Sequence, residues 1–400
     1  MTSATGRIVE IRCGSVAYFG IGAIERFSDI LNVYRKRGIR RVALITGKNS
    51  HKKSGAWDTV RPVLDALQME SAHYEGVIAN PTVDRIDEAV KKVVGINPQL
   101  VIGIGGGSAL DASKAASILL KNPGHDARAL YSGAFTPHEA LPIVSINLTH
   151  GTGSEVDRYA VATIPEKMNK SGIGFDCIYP QYTIDDPRLT LTLPHNQLLY
   201  TSLDALNHVI EASTTTLASA YTVMLAREAV ELIVKWLPVA IKNPADLDAR
   251  YWLLYSSVLG GIAIDCSVVH ITHPLEHTLS AFKPELEHGL GLCVLLPSVI
   301  KAIYPASSEV LAGVLRPIVP ELKGDGREGE LAARRVQEWL YGMGVTQKLP
   351  DIGFSEEDIP DLVRNVHDAQ RGGGSLSLSP VPVSDELIES IYRESLSSLR

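Results

Sequence analysis

The sequence has few of the features that mark secreted, membrane-spanning or nucleic-acid-binding proteins. Its 400 residues include only four cysteines, none in CxxC spacing, so the sequence predicts neither a cysteine-bound zinc cluster nor a disulfide framework. Acidic residues outnumber basic ones, for a formal charge of −7, and no Lys/Arg run suggests a nucleic-acid partner. No stretch of ~18 uninterrupted apolar residues occurs, and the N-terminus lacks an apolar secretory segment. We expect a cytoplasmic protein without a membrane partner.

The composition is that of a folded globular protein, with 45% hydrophobic and 21% charged residues. The first half alternates β-rich runs with helical patterns, and its clearest runs are RVALITG (41–47), QLVIGIG (99–105) and LPIVSIN (141–147). This alternation predicts βαβ units with a parallel sheet covered by helices on both faces. After about Asp186 long helical patterns follow, and residues 323–330 and 371–384 look like turn-rich loops. We predict an α/β domain over residues 1–187 and an all-helical domain over residues 188–400.

A glycine-rich turn joins one predicted strand to a helix in VIGIGGGSALDASK. Gly105, Gly106 and Gly107 would let the backbone approach an anion, and the N–H groups that open the helix would bind it. Ser108 is predicted to cap this helix, with Asp111 completing a variant of the capping box. The pattern suits the pyrophosphate of a dinucleotide, although an ordinary glycine-rich strand-to-helix turn reads in the same way.

A second turn bears on which dinucleotide would bind. In dinucleotide-binding folds an acidic residue near a strand end holds the ribose hydroxyls of NAD. Here RVALITG ends at Gly47, which leaves room for an extra phosphate, and Ser50, Lys52 and Lys53 could donate hydrogen bonds to it. These residues favour NADP, although a solvated basic turn would have the same composition.

Carboxylate and imidazole groups cluster in the helical half. Asp204 and His208 are four residues apart, which places them on one helix face, and His270, His273 and His277 follow at i, i+3 and i+7 before His288. Asp and His without Cys suit Fe(II), Zn or Mn in a catalytic site. An Asp/His surface pair and satisfied core histidines would show the same spacing, which cannot identify the histidines that bind.

Four motifs, in this order, resemble those of the iron-containing (group III) alcohol dehydrogenase family: GGGSALDASK, HGTGSEVD, DALNHVIEA and HPLEHTLSAF…EHGLGLCVLLP. The resemblance covers essentially the whole chain. It implies a Rossmann-like α/β dinucleotide-binding domain followed by an all-α metal-binding domain, the fold shared with glycerol dehydrogenase and dehydroquinate synthase. It also implies Fe(II), with Zn accepted by the same ligands, held by Asp204, His208, His273 and His288.

The resemblance assigns further roles to individual residues. It makes His277 an additional active-site histidine, which we expect to relay a proton, and leaves His270 with a structural role. It implies dinucleotide contacts from the glycine turn with Ser108, from Thr149 and Thr152, and from Lys170. We also expect Asp111, one turn into the helix, among the cofactor-binding residues. Two positions depart from many relatives: Leu148 replaces a contact Thr, and one extra residue precedes His288. Gly47 stands where NAD-preferring members carry Asp, so the resemblance is to the NADP-preferring branch.

These features predict hydride transfer between NADP(H) and a small, mostly apolar primary alcohol or aldehyde. The family resemblance also implies a homodimer or larger homo-oligomer. The alternatives on this fold are polyol oxidation of the glycerol dehydrogenase type and a lyase of the dehydroquinate synthase type. The lyase would need several basic residues for a polyanionic substrate, but Lys283 is the only Lys or Arg between His270 and His288. A metallohydrolase or a non-catalytic metal-binding protein is a further alternative, in which the glycine turn is merely structural.

Overall fold

The computed structural model describes residues 8–369 and 371–399. The strands of the first half are β1 Val16–Phe19, β2 Arg41–Gly47, β3 Glu70–Val77, β4 Leu100–Gly105, β5 Ile143–Asn147, β6 Tyr159–Ile164, β7 Asn169–Gly174 and β8 Tyr182–Asp185. Six of them form a central parallel sheet in the order β1-β8-β5-β4-β2-β3, and β6 and β7 form a separate antiparallel hairpin.

Helices cover the sheet, and they form the regular secondary structure of the described part of the second half. Those of the first half are α1 Arg26–Lys36, α2 Ser50–Lys53, α3 Ala56–Ala66, α4 Val83–Val93, α5 Gly107–Lys121 and α6 Ala127–Tyr131. Those of the second half are α7 His195–Thr214, α8 Ala220–Lys242, α9 Leu247–Ser267, α10 Thr272–Phe282, α11 His288–Val314, α12 Gly329–Gly342, α13 Ile359–Ala369 and α14 Asp385–Glu394. The predicted fold class is confirmed.

The central strands are apolar throughout because both faces of the sheet are covered. Along β2, Val42 and Leu44 pack with the helices on one face, while Ala43 and Ile45 pack on the other. This is the two-residue alternation of a strand, with both sets of side chains buried. The helical half has a separate apolar core formed chiefly by α7, α8, α9 and α11.

Chain order in the sheet creates a crevice between β2 and β4. The chain leaves β2 for β3 on one side and then crosses to β4 on the other side of β2. Ligands of such sheets bind beyond the carboxyl ends of the strands at the point where the order reverses. Gly47 ends β2 and Gly105 ends β4, so the two predicted cofactor turns flank this crevice.

Two local predictions need correction. Residues 371–384 were expected to be a turn-rich loop, but Arg371–Leu378 forms a 3₁₀ helix. His270 was expected on one helix face with His273 and His277, but α10 begins only at Thr272. Chain direction changes by 106° between α9 and α10, so the intervening residues cannot share the helical spacing.

One helix within the described residues has the length and apolarity of a membrane-spanning segment. It is α11, with a mean hydropathy of 1.6 in its most apolar window, 78% of which is buried inside the structure. Central helices of globular proteins combine the same two properties.

Candidate active site

A cavity of about 910 Å³ lies between the carboxyl edge of the sheet and the helical half. It contains almost all of the residues that the sequence singled out, although they come from distant parts of the chain. Those in its lining are Gly47, Ser50, Gly105, Gly106, Gly107, Ser108, Asp111, Thr149, Thr152, Lys170, Asp204, His208, His273, His277 and His288.

The four predicted metal ligands converge at one end of this cavity. Asp204 Oδ1 lies 3.7 Å from Nε2 of His208, 3.5 Å from Nε2 of His273 and 3.7 Å from Nε2 of His288. The rings of His208 and His273 stack with centroids 4.5 Å apart. One turn of α7 separates Asp204 from His208, while α10 and the start of α11 supply the other two.

Unpartnered atoms in this cluster test whether a cation fits. Asp204 Oδ1 and His273 Nε2 are buried and have no hydrogen-bond partner among the described residues. Buried polar atoms without partners are rare, and one common reason is a missing ion. One carboxylate with three imidazoles is also a donor set that Fe(II) and Zn accept. The residues present therefore fit the divalent metal that the resemblance implies.

Glu211 holds His273 in place from behind. Its carboxylate accepts the Nδ1 proton of His273 and the backbone N–H groups of His270, Ile271 and Thr272 at the start of α10. Burial raises the pKa of Glu211, but the adjacent His273 outweighs it and lowers the pKa to about 2. The ionised carboxylate thus directs Nε2 of His273 towards Asp204.

Glu276 does the same for His288. Its Oε2 accepts the Nδ1 proton of His288 and lies 3.4 Å from Nζ of Lys170, while Ser280 donates to Oε1. Metal-binding histidines in general donate their second N–H to such a partner, which fixes the tautomer. Sequence reasoning missed both glutamates, although each stands three residues after a predicted ligand, in HVIE and HPLE.

His277 lies beside the cluster and is partly exposed to the cavity. Its ring centroid is 6.2 Å from that of His273 and 5.5 Å from that of His288. Burial lowers the pKa of His277 well below its usual value, and the charge of Lys170 acts in the same direction. The ring is therefore a neutral imidazole at neutral pH. His270, by contrast, is fully buried and bonds to Thr214 Oγ1 at 2.8 Å.

The glycine turn forms the opposite wall, with a different cap from the predicted one. α5 begins at Gly107, so Gly106 occupies the N-cap position and Ser108 lies inside the helix. A Cβ on Gly106 would lie 2.6 Å from Thr149 Cγ2, and one on Gly107 would lie 2.5 Å from Thr152 Cγ2. These two positions therefore need glycine because a side chain there would overlap the loop that carries the two threonines.

Asp111 does not complete a capping box with Ser108. Its carboxylate accepts hydrogen bonds from Ser154 Oγ at 2.6 Å and from the N–H of Val161 at 2.9 Å. It thus ties α5 to the loop before β6. The predicted cap was wrong because the helix begins two residues earlier than the spacing of the polar side chains suggested.

The four residues of the predicted phosphate site are divided. Gly47 and Ser50 line the cavity, whereas Lys52 and Lys53 do not belong to its described lining. Lys52 instead forms an ion pair with Glu75, Nζ to Oε2 2.8 Å. Lys170, expected among the dinucleotide contacts, lies at the metal end, with Nζ 3.3 Å from Nδ1 of His288.

Comparisons with known proteins agree with this geometry. The sequence model described as "Iron-containing alcohol dehydrogenase" matches residues 15–187, and that described as "Fe-containing alcohol dehydrogenase family, C-terminal" matches residues 198–396. The long-chain primary alcohol dehydrogenase of Thermoanaerobacter ethanolicus is 52% identical over 97% of this chain and 98% of its own length. The crystal structure of NADH-dependent butanol dehydrogenase A from Thermotoga maritima superposes with a TM-score of 0.88, at 26% identity, over 98% of this chain and 99% of that one.

Proposed function

The chain belongs to the iron-containing alcohol dehydrogenase family, and from that premise we propose that it interconverts small, mostly apolar primary alcohols and their aldehydes with NADP(H). The observation that carries the proposal is the shared cavity, in which the unpartnered Asp204 and His273 atoms lie opposite the glycine turn. Pyrophosphate would bind at the N-terminus of α5, and the nicotinamide end would then extend towards the metal ligands.

The chain's own residues prepare the reacting atoms. Asp204, His208, His273 and His288 would hold the divalent cation, and Glu211 and Glu276 orient two of these rings. When bound, the cation supplies Lewis-acid polarisation of the substrate oxygen, and the nicotinamide supplies or accepts hydride. A ring nitrogen of His277, neutral and facing the cavity, would receive the hydroxyl proton during oxidation and return it during reduction.

Apolar side chains support the choice of substrate. The cavity lining includes Ile264 of α9, Val268 and Val269 between α9 and α10, and Pro274 of α10. Lys283, the only Lys or Arg between His270 and His288, is outside the described lining, and its Nζ lies 5.1 Å from the centroid of the Phe354 ring. Within the described lining the Lys and Arg residues are Lys167 and Lys170, and Lys170 pairs with Glu276. The cavity therefore offers few basic groups to a polyanion, which disfavours the lyase alternative.

Gly47 supports NADP(H) over NAD(H). A Cβ at this position would lie in ordinary contact range of Ser50 Oγ, at 3.4 Å, and residues 47–55 of the turn contain no Asp or Glu to repel a phosphate. The Thermotoga maritima butanol dehydrogenase is named as NADH-dependent, so the shared fold by itself does not decide the cofactor.

Assays with each cofactor and metal test the proposal. Purified protein depleted of metal and then supplied anaerobically with Fe(II) should reduce short straight-chain aldehydes, with a higher kcat/KM for NADPH than for NADH. Zn(II) tests whether the same ligands accept a second metal. Equal or higher kcat/KM with NADH would refute the cofactor choice, and no aldehyde reduction with either cofactor would refute the dehydrogenase.

The role of His277 has a separate test. His277→Ala should lower kcat by about 10²-fold or more, the usual range for general acid–base catalysis, while the bound metal stays near one equivalent at the Asp204 site. Unchanged turnover at every pH would exclude the relay.

A homodimer or larger assembly and a cytoplasmic location also remain predictions. Light scattering on the purified protein would measure the oligomeric state.

A further inference from the structure

A second cluster of ligand-type side chains lies at the carboxyl end of β2 and β3, and none of its three members belongs to the described lining of the cavity. His51 comes from α2, and His73 and Glu75 come from β3. His51 Nε2 lies 3.8 Å from Glu75 Oε2, and the ring centroids of His51 and His73 are 5.1 Å apart. One ligand atom from each residue lies within 4.8 Å of the other two.

Hydrogen bonds behind the two rings determine which nitrogens are free. Nδ1 of His51 is 3.0 Å from the Gly47 carbonyl, which can only accept, so this nitrogen carries the proton. The Thr46 hydroxyl lies 2.9 Å from the same carbonyl and 2.9 Å from Nε2 of His73. When the hydroxyl donates to the carbonyl, it accepts from Nε2 of His73. In that tautomer His51 Nε2 and His73 Nδ1 are lone pairs, the arrangement found around metal-binding histidines.

His51 Nε2 is the most unusual atom of the group. The side chain is fully buried, and Nε2 has no hydrogen-bond partner among the described residues. It faces Oε2 of Glu75 at 3.8 Å. A buried lone pair opposite a carboxylate oxygen is unfavourable, and a cation between them satisfies both.

The surroundings leave access for an ion. Lys52 binds Oε2 of Glu75, but both side chains are about half exposed, and exposed ion pairs of this kind contribute little to stability. Oε1 of Glu75 is not used by that pair. Trp57 stacks on the His73 ring, with centroids 4.8 Å apart and planes 22° apart, and holds it from the other side.

We propose that His51, His73 and Glu75 form a second site for a divalent transition metal such as Zn²⁺, separate from the Asp204 centre. Two imidazoles and one carboxylate are a donor set that this class of ion accepts, with water completing the coordination. The ion would link His51, in α2 after β2, to His73 and Glu75 of β3. It would take the place of Lys52 as the cation that pairs with Glu75.

Counting bound Co²⁺ tests the site. The full chain, freed of metal by dialysis against a chelator, should bind two equivalents of Co²⁺ at neutral pH, and His73→Gln should bind one. Asp204→Asn should bind one as well, because it loses only the other centre. The matched control is His125→Gln, the same change at an exposed histidine that packs on Phe135, and it should keep two.

A second variant keeps the test decisive if replacement of the half-buried His73 disturbs folding. Glu75→Gln alters a half-exposed side chain and should weaken the second Co²⁺ at least tenfold. In the wild type, filling this site should also quench the fluorescence of Trp57, and Trp57→Phe should abolish that part of the signal. A single Co²⁺ equivalent in the wild type would overturn the proposal and would mean that a proton on His51 satisfies Glu75. Two tightly bound equivalents in both His73→Gln and Glu75→Gln would overturn it as well.

Discussion

At the scale of single residues, the candidate active site depends on side chains whose partners lie far away in the sequence. His273 and His288 each use one ring nitrogen for a buried glutamate and turn the other towards Asp204. The spacing of histidines could suggest a metal but could not choose its ligands. That choice depends on which nitrogens are already engaged.

Gly47 gives the sharpest test at this scale. In Gly47→Asp the new carboxylate would stand beside Ser50, where it would repel the 2′-phosphate of NADP and accept hydrogen bonds from the ribose hydroxyls of NAD. We expect the ratio of kcat/KM for NADPH to that for NADH to fall at least tenfold, as steady-state kinetics would measure. Gly47→Ala, which adds a Cβ without charge, should change the ratio much less. An unchanged ratio in the Asp variant would place the phosphate elsewhere.

At the scale of elements, the start of α10 joins the metal ligands to the helical core. Glu211 projects from α7 and accepts the N–H groups that open α10, so one carboxylate both caps that helix and orients His273. Helix N-termini leave their first N–H groups unpaired and favour a negative charge. The position of His273 is thus coupled to the packing of two helices.

Glu211→Gln should therefore weaken metal binding while preserving the shape of the side chain. Loss of an outer partner of a ligating histidine generally costs about 10- to 100-fold in affinity, and we expect a decrease in that range. Competition against a metal-binding dye would measure it. Glu228→Gln removes the same charge from the exposed surface of α8 and should leave the affinity unchanged. If both variants bind equally well, Glu211 acts only as a helix cap.

The loop before β6 meets α9 through two facing glycines. Gly153 has φ +67°, and a Cβ there would overlap Cα of Gly261. A Cβ on Gly261 would in turn lie 2.5 Å from the Gly153 carbonyl oxygen. This contact places Thr149 and Thr152 against the glycine turn, so the approach of loop and helix shapes the cofactor side of the cavity.

Gly261→Ala should destabilise the protein by about 1–3 kcal/mol, the typical cost of overpacking a well-packed interior. It should also raise KM for the cofactor, because the threonine loop has to move. Chemical denaturation and kinetics would measure the two effects. Gly260→Ala on the same helix is the matched control, since its new Cβ would lie 3.7 Å from its nearest neighbours. Alanine is also preferred to glycine inside a helix, so this control should not lower stability. Equal stability of both variants would contradict this account.

At the scale of the whole molecule, buried polar groups join the two halves beneath the cavity. Arg250 of α9 is completely buried and donates to Nε2 of His150 at 3.0 Å, while Ser202 of α7 lies 3.0 Å from Nδ1. Burial, with the charge of Arg250 as the second cause, lowers the pKa of His150 to about 3. The ring must stay neutral for the halves to pack in this way.

Stability should consequently fall in mild acid. The unfolded chain takes up a proton on His150 below about pH 6.5 and the folded chain does not, so the free energy of unfolding decreases as the pH drops from about 6.5 towards 3. Each pH unit in that window costs up to about 1.4 kcal/mol. His150→Gln can still accept from Arg250 but cannot titrate, so its decline between pH 7 and 5 should be shallower than that of the wild type by about one proton. Urea unfolding at each pH would measure the difference, and identical slopes would exclude His150.

The sequence by itself determined the fold class, three central strands, of which two end in the cofactor turns, and the helix that carries Asp204 and His208. These depend on local periodicity and on backbone freedom, which neighbouring residues express directly. Tertiary structure alone decided the rest. It moved the cap from Ser108 to Gly106, paired Lys52 with Glu75, separated His270 from the helix and recruited Glu211 and Glu276 behind the ligands. The physical reason is that hydrogen bonds and charge pairs between distant segments form only where packing brings those segments together. Periodicity along the chain does not indicate which distant segments will meet.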